Sequence, residues 1–118
     1  MHLGTNAIRL DDGRLVAILH VLHGGSQWIY HKYVYVMAAQ HPHQVIGIGK
    51  RPLVLSTGNA RLRSSGAPTF SFALSLCRLP GNKVVVGYNV NDETLSLLVL
   101  TLDELLKDVQ LAAPNNAV

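Results

Sequence analysis

Two stretches of this chain, sixty-nine residues apart, carry the same hairpin pattern. Ala7-Ile8-Arg9-Leu10-Asp11-Asp12-Gly13-Arg14-Leu15-Val16 aligns with Leu76-Cys77-Arg78-Leu79-Pro80-Gly81-Asn82-Lys83-Val84-Val85. Arg9 falls on Arg78, Leu10 on Leu79, turn on turn and apolar run on apolar run. Asp-Gly and Pro-Gly-Asn between apolar runs are strong hairpin signals, because these residues tolerate the backbone angles a tight turn requires. A chain of 118 residues that repeats a β-hairpin in this way is confined to a few architectures.

The rest of the chain fills in two β units. Arg14–Val21 and Trp28–Ala38 read as strands rich in β-branched and aromatic residues, separated by the His23-Gly24-Gly25-Ser26 turn. His41-Pro42-His43 breaks the second, and Gln44–Ile48 follows as a short strand, with Pro52–Leu55 a further extended piece. Residues 56–68 are rich in Ser, Thr, Gly, Asn and Arg and read as a long loop. Strands then follow over Phe70–Leu79, Lys83–Val90 and Thr94–Leu100. Thr101 and Glu104 have the spacing of a capping box, and Leu102, Leu105, Leu106 and Val109 share one helical face, which predicts a helix over Leu102–Leu111. The expected fold is all-β: two four-stranded antiparallel propeller-like blades with a short C-terminal helix. One domain is expected over residues 1–118, with unit 1 at about 4–55, a linker at 56–68 and unit 2 at about 69–111. Two ordinary hairpins in a sandwich fit the same periodicity.

Composition narrows the function classes. Charged residues are only 14% of the chain and apolar ones 48%, against roughly 25% charged in an average domain. So little charge on so small a domain implies surface hidden against a partner, and self-association as a homodimer or homotrimer is expected. The net charge of +3 is spread over scattered Lys and Arg. Nucleic acid binding needs a denser basic stripe, so no nucleic acid partner is expected. No run of about 18 apolar residues occurs, so no membrane partner is expected. One cysteine, Cys77, and an N-terminus without signal-peptide features point to the cytoplasm.

Candidate chemistry is sparse. All seven carboxylates (Asp11, Asp12, Asp92, Glu93, Asp103, Glu104 and Asp108) fall in predicted turns or in the helix, where these residue types settle for local reasons. Glycoside hydrolysis needs two carboxylates facing one bond, and none is expected on a strand. His41 and His43 lack the nearby Cys or acidic ligands of a zinc site, so no metal and no cofactor are expected. Cys77 reads as a small strand hydrophobe. Trp28, Tyr30, Tyr33 and Tyr35 suit core or interface packing first, and stacking on a sugar if they line a groove.

Six motifs in order resemble the five-bladed propellers of the glycoside hydrolase family 43/130-like superfamily. Gly4 to Leu15 followed by His20 is similar to its blade start, and His31-Lys32-Tyr33-Val34 to a following strand. Ile48–Leu53, Phe72–Leu76, Val84–Asp92 and Leu100–Leu105 resemble later segments. Ser75 and Asn89 stand where that family has glycine, and Asn91 where an Asp is common. The resemblance covers the last two of five blades. It implies a carbohydrate theme without the family's essential carboxylates, which come from earlier blades. It also implies a phosphate-binding role for His20 and a matched position for Asp92. The resulting candidate ligand-binding set is His20, His31, Trp28, Asp92 and Arg9, with a saccharide or phosphate-bearing sugar as partner and no catalytic residue. Three readings stand. One is a non-catalytic carbohydrate-binding or remnant domain that assembles with itself. Another is a structural or interaction protein. The third is a carbohydrate-active enzyme with a site shared between subunits.

Overall fold

The computed structural model describes residues 2–23, 29–56 and 70–112. Among these residues it is all-β, with two antiparallel sheets and one short helix. The first sheet holds β1 (His2–Leu3), β2 (Ile8–Arg9), β3 (Leu15–His23), β4 (Ile29–Met37) and β5 (Val45–Gly49). The second holds β6 (Ser71–Leu79), β7 (Lys83–Val90) and β8 (Thr94–Thr101). Helix α1 (Leu102–Leu106) and strand β9 (Val109–Leu111) follow. The first sheet runs β1–β3–β4–β5–β9, with β2 also paired to β3, and the second runs β6–β7–β8.

The sequence repeat is a repeat in register. Ile8 pairs with Val16 and Arg9 with Leu15, while Cys77 pairs with Val85 and Arg78 with Val84, the corresponding residues of the second unit. Both turns end on a left-handed residue at the same place, Gly13 (φ 93) and Asn82 (φ 56). The outermost strand of each hairpin is also interrupted at the same place. Register shifts between Ala73 and Ser75 in β6, and the gap between β1 and β2 lies at the corresponding point on β3. Thus β1 with β2 matches β6, β3 matches β7 and β4 matches β8.

Two expectations need correction in detail. The capping box is present, with Thr101 Oγ1 accepting the Glu104 N–H at 3.1 Å and the Glu104 carboxylate accepting the Thr101 N–H at 3.2 Å. The helix nevertheless stops at Leu106, and the last residues form β9 on the edge of β5. Gly47 permits this: a Cβ there would meet Leu111 Cδ2 at 2.8 Å and Val109 Cγ1 at 3.1 Å. The Lys50 and Ala112 N–H groups, donating to Asp108 O and Ile46 O, fasten the two ends of β9. The expected fourth strand of the second unit is therefore absent among the described residues, and the last described strand serves the first sheet. Pro52–Leu55 contributes only a bridge between Leu53 and Lys32.

The core lies between the sheets. Ile8, Leu10, Val16, Ile18, Val34 and Val36 face it from the first sheet, and Ala73, Leu76, Val84, Val86, Tyr88 and Val90 from the second. Strand alternation sends neighbours to the opposite face. The core positions of β3 and β7 have opposite parity under the repeat: Val16 joins the core cluster where its counterpart Val85 does not, and Val84 joins it where its counterpart Leu15 does not, although Ala17 and Leu19 are also buried. The two units thus stack in the same orientation, one's back against the other's front, which is how blades stack.

Candidate functional site

His20 sits on the inner face of β3, in line with Val16 and Ile18, and is fully buried. Its Nε2 accepts the Ala73 N–H of β6 at 2.9 Å. An imidazole that accepts at Nε2 carries its proton on Nδ1. The ring stacks on Phe72 with centroids 3.6 Å apart and planes 14° apart, and meets Tyr30 edge-on at 6.1 Å. Gly4 closes over it, since a Cβ there would meet the His20 ring at 2.7 Å and clash with the Ile18 carbonyl. The residue therefore ties the edge of the second sheet to the first.

The other four candidates lie elsewhere. His31 pairs with Val21 and takes the outer position on β4, on the far side of the sheet from His20. Asp92 is exposed in the left-handed turn between β7 and β8 (φ 56), where Oδ1 accepts the Asn89 amide at 3.1 Å. Arg9 is exposed beside the first hairpin turn and donates to Gly13 O at 2.8 Å. Its partner Leu15 lies five residues from His20 along β3, about 17 Å at strand rise. Trp28 lies outside the described residues. The structure brings no two of His20, His31, Asp92 and Arg9 into one cluster.

A buried polar cluster that the sequence reading did not single out lies beside His20. Lys32 is its cross-strand neighbour, on the inner face with Val34 and Val36 and only 9% exposed. Its Nζ bonds to Ser71 Oγ at 2.7 Å, Ser71 O at 3.3 Å and Tyr30 O at 3.1 Å. Burial pushes its pKa below the ordinary lysine range. Three acceptors match the three donors of an ammonium. The signal was present in the alternation Tyr30-Lys32-Val34-Val36, which places the lysine on the core face. Asn6 makes a second polar tie, accepting the Leu76 N–H at 3.0 Å and donating to Leu76 O at 2.8 Å. Its amide replaces a missing strand partner.

At the turn end, Arg78 joins the two hairpins by donating to Asp11 at 2.8 Å and to Arg9 O at 3.3 Å. The Asp12 carboxyl is held below its usual range by the Arg14 N–H, with the Arg14 side chain adding to this. The Glu104 carboxyl is lowered by its bonds to Thr101. As expected, none of the seven carboxylates lies on a strand. A cavity of about 370 Å³ opens between α1 and residues 51–54, floored by Val34, Leu98, Leu100 and Leu105. Glu104 and Asp108 border it, but the Glu104 carboxylate is committed to its cap. Among the described residues no three His, Cys, Asp or Glu side chains gather as a metal site, and no helix is long and apolar enough to cross a membrane.

Among the described residues, one sheet surface has no internal role. On β8, Leu95, Leu97 and Val99 are 70%, 70% and 55% exposed at alternate positions, all on the face away from the core. Val85 and Cys77 extend the same face across β7 and β6 through the pairs Val85–Val99 and Cys77–Val85. Comparison with known families, with characterised proteins and with solved structures finds no match to this chain.

Proposed function

We propose that this protein is a non-catalytic assembly module that works by covering the outer face of its second sheet. The observation that carries the reading is the β8 strip Leu95, Leu97 and Val99. Scattered exposed leucines are ordinary on a protein surface, but a contiguous apolar strip on a regular sheet marks an interaction site. The polar groups fit the same reading: His20, Lys32, Asn6 and Arg78 are committed to holding the two units together. Light scattering coupled to size exclusion tests it. The wild-type chain is expected to run as a defined oligomer and Leu97→Asp as a folded monomer. A wild-type monomer at every concentration would overturn the proposal.

A second reading, the saccharide binding that the propeller resemblance implies, draws on Tyr33 and Tyr35. Both are half-buried on the outer face of the first sheet, near His31, and aromatic faces of this kind stack on sugar rings. A glycan titration followed by tyrosine fluorescence, with Tyr33→Ala as control, tests that reading. Saturable binding that the variant loses supports it, and an unchanged signal across the panel rejects it.

A further inference from the structure

We infer that the partner covering the β8 face is a second copy of this chain, seated head to tail, with the outer face of its first sheet on the outer face of the second. The inference rests on the assembly reading above and adds the partner and its orientation.

The argument is the register of the repeat. On the first sheet, Val36 pairs with Val16, Val34 with Ile18 and Lys32 with His20. On the second, Val99 pairs with Val85, Leu97 with Gly87 and Leu95 with Asn89. Val16, Ile18 and His20 correspond to Val85, Gly87 and Asn89 under the repeat. So the exposed Val99, Leu97 and Leu95 occupy the positions of Val36, Val34 and Lys32, which are 0%, 5% and 9% exposed. Val34 and Val36 are covered by the inner face of the second sheet, built on Val84, Val86 and Tyr88. The counterparts of those three are Leu15, Ala17 and Leu19, on the outer face of the first sheet, where Ala17 and Leu19 are already buried and the half-buried Leu15, Tyr33 and Tyr35 form the surface. By the register of the repeat, the face that corresponds to the cover of β8 is therefore the outer face of the first sheet, at the opposite end of every copy.

Chemistry and size agree. Cys77, Val85, Leu95, Leu97 and Val99 carry no charge, and the facing surface presents Leu15, Tyr33, Tyr35, Met37 and Ile48; Lys83 and Arg9 share these faces only at their hairpin-turn ends and His31 only at the other end of β4. Three strands spaced about 4.8 Å apart and eight residues long make a face of about 400 Å². With side-chain relief, roughly 600 Å² per partner leaves water, the lower end of specific interfaces. Because the two faces differ, the contact is heterologous and closes into a ring when the rotation permits.

The test separates head-to-tail from face-to-face pairing. Leu97→Asp blocks one face and Tyr35→Asp the other, and light scattering reads the mass of each. Head-to-tail assembly predicts that each variant alone is monomeric. An equimolar mixture then forms a one-to-one complex of about twice the 12.8 kDa chain mass. The Cys77 thiol gives a second readout: Ellman's reagent reacts slowly with the wild type, quickly with either variant alone, and slowly with half the thiols of the mixture. Leu95→Asp and Ile48→Asp on the same two faces replace a variant that fails to fold. An unchanged mass for Tyr35→Asp, or a mixture that stays monomeric, would overturn the head-to-tail contact while leaving the assembly reading intact if Leu97→Asp alone dissociates the wild-type oligomer. A monomeric wild type would overturn both.

Discussion

Replacing His20 with alanine is expected to unfold a large part of this protein's stability margin. Three losses combine. The Ala73 N–H loses the Nε2 acceptor and is left buried, at about 1–3 kcal/mol. The stack on Phe72 at 3.6 Å goes with it, worth about 0.5–1.5 kcal/mol. A fully buried ring leaves a cavity bounded by Gly4, Tyr30 and Phe72, which collapses only in part. The total is about 3–5 kcal/mol, set against a stability of about 5–15 kcal/mol for an ordinary domain. Urea denaturation followed by far-ultraviolet circular dichroism measures it, with Leu97→Asp present as a background in both chains so that assembly does not enter the comparison. His20→Gln, which retains an acceptor at the end of a flexible chain, is expected to recover about 1 kcal/mol. A His20→Ala chain within about 0.5 kcal/mol of its parent would refute the cross-sheet role and return the residue to the ligand-contact role that the resemblance implies.

Two further predictions follow from the buried lysine and the closing strand. Unfolded Lys32 titrates near 10.5 and the folded residue lower, so between those values the unfolded chain holds more protons and stability rises with pH; Lys32→Met removes this contribution, which urea midpoints from pH 7.5 to 11 will show as a difference between variant and wild type that shifts in the wild type's favour as pH rises. Gly47→Val drives a side chain into Leu111 and Val109 and costs about 1–3 kcal/mol; hydrogen exchange is expected to speed at Lys50 and Ala112 while β6 to β8 keep their protection, and uniform protection would refute the role of Gly47 in docking β9.

What was legible in the sequence was local. The turns at Asp11–Gly13 and Pro80–Asn82 and the Thr101 capping box are set by residues within four positions of one another, and the structure has them where the pattern put them. Residues 109–111 differ from the expected helix because Val109 fits the helical spacing of Leu102, Leu105 and Leu106 equally well; the decision belongs to Gly47, more than sixty residues away, whose bare edge accepts a strand. The candidate site failed for a related reason. His20, His31, Arg9 and Asp92 were gathered by motif order, whereas strand alternation sends His20 inward and His31 outward. Alternation would also have placed Lys32 with Val34 and Val36, and with it the polar cluster that the motifs passed over.

The strand β8 carries the clearest message in both sequence and structure. Leu95, Leu97, Leu98, Val99 and Leu100 make it apolar on both faces, which is the pattern of a strand buried on both sides rather than one with a solvated face. Leu98 and Leu100 find that burial against the core within the chain. Leu95, Leu97 and Val99 do not. Its counterpart β4 also has a charge-free core face beyond Lys32, yet that face is covered by the second unit, whereas the matching face of β8 stays exposed. A sheet face built to the same register as a buried one, from residues as apolar, is the face that the proposed head-to-tail contact covers.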